Sequence, residues 1–181
     1  MTLPRPRDAV IAALAFVPLA ACSSASMTPP PMAMGTGTAL PQQDALFVDN
    51  AAISNANEIA AAQLAQANGG PAVRRFATQM MTDHQMAAQK LTALAQAKML
   101  TPPMGPDDAH QGMVASMANV KGRVFDKAYL DAQVADHQAA LALFDSEARN
   151  GADPDIKAFA AQSLPMMRQH LAMAQRLDPK R

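Results

Sequence analysis

Apolar residues recur every three or four positions along most of the chain, which is the spacing of an amphipathic helix. Glycine and proline interrupt this pattern and divide it into segments. The segments predict long helices over 44–68, 71–100, 126–150 and 154–177, and a short helix over 107–120. No segment alternates between apolar and polar residues as a half-buried strand would. The chain is therefore predicted to be all-α.

Two of the predicted helices open with the same pattern. Residues 71–79 and 154–162 share the sequence P-x-[VI]-[RK]-x-F-A-x-Q. This repeat makes the second and fourth long helices equivalent members of two helical hairpins. The long connection with its short helix is typical of the crossover in a ferritin-like bundle. We therefore predict a ferritin-like four-helix bundle with a short crossover helix over residues 44–178.

The first 22 residues have the pattern of a bacterial lipoprotein signal peptide. Arg5 and Arg7 precede an apolar stretch of about eleven residues, which is too short to span a bilayer. Residues 19–22, Leu-Ala-Ala-Cys, resemble a lipobox, in which the cysteine thiol accepts the lipid. Cys22 is the single cysteine, so an internal disulfide is excluded. We expect residues 1–22 to be a signal peptide and Cys22 to be lipidated.

A tether is predicted between this anchor and the bundle. Residues 23–43 contain four prolines and two glycines, a composition typical of flexible or extended linkers. Ser23 follows the cysteine, and by similarity to sorted lipoproteins a residue other than aspartate there favours the outer membrane. The expected location is the periplasmic face of that membrane, with the lipid anchor as the membrane contact. The alternative is an ordinary signal peptide with an incidental cysteine.

Charge and composition argue against one class of partner. Fifteen basic and fifteen acidic residues balance to a formal net charge of zero, and the chain has one tyrosine and no tryptophan. A nucleic-acid-binding surface needs a basic patch and, for single strands, aromatic stacking platforms. No nucleic-acid partner is therefore expected, and the sequence does not identify a protein partner.

Three of the four histidines lie on apolar faces of different predicted helices. His84, His137 and His170 each share a face with aliphatic or methionine residues. Because inward faces converge in a bundle, the three rings are predicted to meet in the core. Glu58 lies on the remaining long helix, where a buried carboxylate is costly unless it is paired or bound to a metal. These four side chains together suit a mononuclear copper or zinc site.

Two of these histidines follow a pair of methionines with the same spacing. The pattern Met-Met-x-x-His occurs at 80–84 and again at 166–170. Residues three and four apart share a helix face, so Met81 and Met167 are candidate ligands beside His84 and His170. A thioether with an imidazole favours Cu(I) over hard cations. The alternative is that the methionines only fill irregular gaps in the core.

Glutamate is scarce, which argues against a carboxylate di-iron centre. The chain has only Glu58 and Glu147, whereas the ferritin-like di-iron proteins use one glutamate from each of four helices and two histidines. No catalytic triad or cofactor loop is recognisable, so no enzymatic activity is predicted. His110, in the crossover, is expected at the surface, and the aspartates at 83 and 136 are expected to be solvated or paired with neighbouring arginine and lysine side chains.

From residue 44 onward the chain resembles the domain-of-unknown-function 4142 family of exported bacterial proteins. The resemblance rests on the order and spacing of several short motifs. They are Glu58 with Leu64-Ala65, residues 73–77, Met80 with Asp83-His84, Phe125-Asp126-x-x-Tyr129, His137, Phe159-Ala160 and the stretch 164–171. The resemblance implies a ferritin-like four-helix bundle and implies no established activity.

Two functions from different classes fit these observations. The first is an exported, lipid-anchored bundle that binds one copper or zinc ion through Glu58 and the three histidines. Its role would be metal buffering or stress tolerance in the envelope. The second is a metal-free structural or interaction lipoprotein, in which the buried histidine–glutamate cluster fixes the register of the helices.

Overall fold

The structure, a computed structural model, describes residues 40–178. The predicted signal peptide, Cys22 and most of the tether lie outside these residues. The described part contains five helices and no strand, which confirms the predicted all-α fold. The helices are α1 (Gln42–Asn68), α2 (Pro71–Ala97), α3 (Asp108–Met117), α4 (Gly122–Asn150) and α5 (Pro154–Leu177). None of the five combines the length and apolar character that a membrane crossing requires.

The four long helices pair as two hairpins. Short turns join α1 to α2 and α4 to α5, and the members of each hairpin pack along each other. The hairpins meet through α1 against α4 and α2 against α5, while α3 lies in the connection between them and contacts α1. This is a ferritin-like four-helix bundle with a crossover helix, as the sequence predicts.

The start of α4 differs from the prediction, because the residue predicted to cap this helix instead contacts the turn between α1 and α2. The pattern starts a helix at residue 126 with Asp126 as its own cap. Instead α4 begins at Gly122, and the Asp126 carboxylate accepts the backbone N–H of Gly70 at 2.8 Å. Asp126 therefore caps the start of α2 in the other hairpin. A Cβ at position 70 would lie only 2.7 Å from an Asp126 oxygen, so a larger residue there would displace the carboxylate from its present position.

Other boundaries also differ from the prediction, among them the end of α3, which lies at Met117 rather than at residue 120. Helix α1 begins at Gln42, inside the segment predicted as tether, and α2 ends at Ala97 rather than at residue 100. Met99 follows with a φ of 56°, a left-handed conformation that cannot continue a right-handed helix. Helix α5 runs on through Pro165, although proline removes one of its backbone hydrogen bonds.

The core consists of two apolar clusters with a polar layer between them. One cluster gathers residues near the α1–α2 turn, including Phe76 and Phe125, and the other gathers residues near the α4–α5 turn, including Phe47 and Phe144. Along every long helix, the positions between the two clusters carry buried polar side chains. They are Asn55, Asn57 and Glu58 on α1, His84 on α2, Gln133 and His137 on α4, and His170 on α5.

Candidate metal centre

Three helices each contribute one histidine to the centre of the polar layer. His84, His137 and His170 are only 1–2% exposed. One ring nitrogen from each lies within 4.8 Å of the other two, and the ring centroids are 5.4–5.7 Å apart. The structure thus brings together the three histidines that the sequence placed on inward faces. We refer to them as the histidine triad.

The outer nitrogen of each triad ring lies next to an oxygen atom. The contacts are His84 Nδ1 to Asn55 Oδ1 at 2.9 Å, His137 Nδ1 to the Gln133 carbonyl at 3.0 Å, and His170 Nε2 to Asp83 Oδ2 at 2.8 Å. An oxygen acceptor favours the tautomer in which the facing nitrogen carries the hydrogen and donates it. Outer-shell oxygens hold metal-binding histidines in the same way, because the opposite nitrogen then keeps its lone pair for the ion.

The inner nitrogens consequently face one another with lone pairs. His137 Nε2 and His170 Nδ1 lie 3.4 Å apart, and His84 Nε2 is buried without a hydrogen-bond partner in residues 40–178. With the outer nitrogens protonated, the 3.4 Å contact has no hydrogen to share. Three lone pairs directed into one buried space are unfavourable by themselves, and a cation placed among them would satisfy all three.

Burial keeps the triad uncharged. It lowers the pKa of His84 well below the usual range, an effect that the other two rings increase. It lowers the pKa of His137 to about 4 and also lowers the pKa of His170, where Asp83 partly opposes the shift. All three imidazoles are therefore neutral at pH 7, which is the state that binds metal.

Glu58 lies behind the triad rather than within it. Its Oε2 accepts a hydrogen bond from Gln133 Nε2 at 2.7 Å, and its Oε1 lies 3.5 Å from the outer nitrogen of His137. Burial raises the pKa of Glu58 to about 8, and the negative charge of Asp136 adds to this shift. At neutral pH the group therefore holds a proton. The structure does not include Glu58 in the three-histidine cluster, and its role as a direct ligand stays a prediction.

The two candidate methionine ligands lie in the apolar clusters on either side of the polar layer. Met81 is partly buried and packs against the cluster near the α1–α2 turn. Met167 is 3% exposed and belongs to the cluster near the α4–α5 turn. Both positions fit gap-filling in the core, and ligation by either sulfur stays a prediction.

Asp83 is a site residue that sequence reasoning missed. Asp83 and Asp136 were both expected in solvent or beside basic side chains, yet each contacts a histidine. Asp83 bonds to His170 on α5, and an Asp136 oxygen lies 3.4 Å from His110 Nε2. The residue beside an inward-facing histidine points toward the neighbouring helix, because successive side chains diverge by about 100°. The repeated Asp-His-Gln triplet at 83–85 and 136–138 was the available signal.

Comparisons with known proteins agree with the fold. The family model described as "Domain of unknown function (DUF4142)" matches residues 29–177. A solved structure described as the crystal structure of a DUF305 fragment from Deinococcus radiodurans is similar, with a TM-score of 0.68 and 16% identity. That similarity covers 78% of this chain and 99% of the fragment, and at such low identity it shows the fold alone. The chain matches no curated protein.

Proposed function

This chain belongs to the DUF4142 family, whose domain has no assigned function, and we propose that its bundle binds one transition-metal ion, copper or zinc. The histidine triad would hold the ion. The observation that carries the proposal is the arrangement of the ring nitrogens. Each outer nitrogen lies against an oxygen, and the inner nitrogens converge within 4.8 Å in a buried layer.

The spacing of the inner nitrogens supports an ion of this class. Metal–nitrogen bonds of about 2.0–2.1 Å at tetrahedral angles place two ligand nitrogens roughly 3.3–3.4 Å apart. His137 Nε2 and His170 Nδ1 already lie at 3.4 Å. A small movement of His84 would complete a three-nitrogen site, which suits Zn(II) with one further ligand or trigonal Cu(I). Glu58, Met81 and Met167 are the candidates for a fourth ligand.

The proposed physiological role is metal buffering or stress tolerance in the cell envelope. Ligands that are 1–2% exposed favour retention of an ion over rapid exchange with solvent. Attachment through a lipid on Cys22 at the periplasmic face of the outer membrane is part of the same proposal. It rests on the lipobox-like sequence at 19–22 and on the apolar stretch before it.

A second candidate function is a metal-free structural or interaction lipoprotein. The polar layer favours it in one respect, since its contacts join α1 to α2 through Asn55 and His84, and α1 to α4 through Glu58 and Gln133. Buried polar contacts of this kind can fix helix register without any ligand. The two functions differ in how stability responds to metal.

Thermal denaturation of the metal-free protein with added Cu(I) or Zn(II) tests the proposal. An ion that binds only the folded state at a hundred times its Kd adds about 2.7 kcal/mol of stability and raises the melting temperature. The His84→Ala/His170→Ala double variant should lose this increase. His110→Ala is the matched control and should keep it, because His110 lies outside the triad. No increase with either ion, or the same increase in the double variant, would leave the metal-free function as the better explanation.

A further inference from the structure

The polar layer comes closest to solvent on one side of the bundle. The oxygens that face the outer nitrogens of His84 and His137 are those of Asn55 and Gln133, two residues that are 4% and 0% exposed. The outer partner of His170 is Asp83, whose side chain is 16% exposed. An ion moving between solvent and the triad through polar groups would therefore pass between α2 and α5, where Asp83 and His170 meet.

A surface cavity lies at this place. Its volume is about 130 Å³, and residues of α2 and α5 line it, among them Asp83, Met86, Lys90, Gln162 and Met166. A water molecule occupies about 30 Å³ in the liquid, so the cavity is large enough for an ion and a few waters. Met86 is 49% exposed and Met166 is partly buried, so thioethers from both helices border a space that solvent reaches.

Asp83 connects this cavity to the triad. Its Oδ2 accepts hydrogen bonds from His170 Nε2 at 2.8 Å and from Gln79 Nε2 at 2.6 Å. The opposite nitrogen of His170 faces His137, so the His170 ring lies between the Asp83 carboxylate and the inner space of the triad. The Asp83 carboxylate thus borders the cavity on one side and contacts the triad on the other.

We propose that this cavity, bordered by Asp83, Met86 and Met166, is a transient copper(I) site through which the ion reaches the histidine triad. The proposal rests on the metal-binding function above. Thioethers are soft ligands that favour Cu(I), whereas Zn(II) prefers nitrogen, thiolate and carboxylate ligands. The cavity would therefore accelerate the loading of copper and leave zinc loading unaffected.

Transfer from the cavity to the triad needs no change of oxidation state. The ion would exchange its bonds to two thioether sulfurs and one carboxylate oxygen for bonds to imidazole nitrogens that carry lone pairs. The hydrogen bond between Asp83 and His170 would open while the ring turns aside, and it would close again behind the ion. Lys90 also lines this cavity, and its positive charge would repel a resident cation, which favours passage over storage.

The rate of Cu(I) loading tests this proposal. Metal-free protein is mixed with Cu(I) supplied by a coloured chelator, and the decay of the chelator's absorbance gives the rate. The Met86→Leu/Met166→Leu variant should load roughly tenfold more slowly, because two soft ligands are missing before the rate-limiting step. Leucine nearly conserves the volume of methionine, so the fold should be retained. Equilibrium affinity for Cu(I) and the rate of Zn(II) loading should not change.

Met99→Leu/Met104→Leu is the matched control. Both residues are more than 90% exposed and lie outside the cavity, so their replacement should leave the loading rate unchanged. An unchanged rate in Met86→Leu/Met166→Leu would overturn the transit site and leave metal binding by the triad intact. Loss of equilibrium affinity in that variant would also overturn it, because the sulfurs would then be permanent ligands. Failure of the wild-type protein to bind Cu(I) would instead contradict the proposed function itself.

Discussion

The histidine triad and His110 both combine imidazoles with aspartates, but they differ in what faces the second ring nitrogen. His110 lies on the crossover helix α3 with Nδ1 3.0 Å from the Asp107 carboxylate and Nε2 3.4 Å from Asp136. Both nitrogens of His110 thus face acceptors. In the triad, one nitrogen of each ring faces an oxygen, and the other faces only the neighbouring imidazoles.

This difference separates a bridge between helices from a site for an ion. A histidine between two carboxylates can donate from both nitrogens when protonated, and no lone pair is then left for a metal. The Asp107 carboxylate is also occupied, because it accepts hydrogen bonds from the backbone of His110 and from Asn57. These bonds lower the pKa of Asp107 to about 2. The His110 cluster therefore links α3 to α1 and α4, whereas the triad has three lone pairs to offer.

The largest expected difference between the two regions is in acid. Burial holds the pKa of each triad histidine below 6.5, with His137 at about 4. Below pH 6.5 the unfolded chain therefore binds more protons than the folded protein, and the free energy of unfolding decreases as the pH falls. A triad histidine that stays neutral in the folded protein contributes up to about 1.4 kcal/mol per pH unit in this window, and His137 should do so down to about pH 4. Chemical denaturation of the metal-free protein at pH 6.5, 5.5 and 4.5 measures the slope.

Glu58 provides the control for this slope, because its effect has the opposite sign. Its folded-state pKa of about 8 lies above the ordinary glutamate value of 4.5, so its contribution to stability is lost as the pH rises through this range. Glu58→Gln should therefore make the acid loss steeper and remove the decrease in stability between pH 6.5 and 8. A wild-type free energy of unfolding that does not change between pH 6.5 and 4.5 would contradict a neutral, buried triad.

The next effect in size concerns the carboxylate that holds His170. In Asp83→Asn, the amide can donate to Nε2 and so favour the tautomer whose Nδ1 carries the hydrogen and cannot bind metal. Loss of such an outer-shell partner lowers metal affinity by about 10- to 100-fold. Titration against a competing chelator measures this affinity. Asp136→Asn is the matched control, since Asp136 lies beside His110, and equal losses in both variants would argue against a specific role for Asp83.

Periodicity was sufficient to predict the helices and the inward histidines. The apolar faces that carry His84, His137 and His170 each extend over several turns, and a small error at a helix end does not rotate them. The repeat at 71–79 and 154–162 likewise indicated two equivalent hairpins before any contact was known. Each of these features depends only on the sequence of a single helix and not on how the helices pack against one another.

Contacts between helices were not predictable in the same way. Asp126 could be assigned as a cap for its own helix, but not for α2, because that role depends on where the two hairpins meet. Glu58 was correctly placed inside, yet its position at the outer nitrogen of His137 depends on how α1 is rotated against α4. The contact between Asp83 and His170 depends in the same way on the packing of α2 against α5.

The smallest expected effect comes from removing the His110 side chain. The His110 side chain is 22% exposed, against 1–2% for the triad histidines, so His110→Ala should lower the free energy of unfolding less than His137→Ala does. The Asp107 cap should survive, because its bonds to the backbone N–H of residue 110 and to Asn57 do not need the imidazole. Denaturation with and without metal, beside His137→Ala, measures both properties. The increase in melting temperature with metal should persist in His110→Ala and disappear in His137→Ala. If both variants lost the increase in melting temperature with metal, the inner lone pairs of the triad would not explain metal binding. The ion would then be expected nearer to α3.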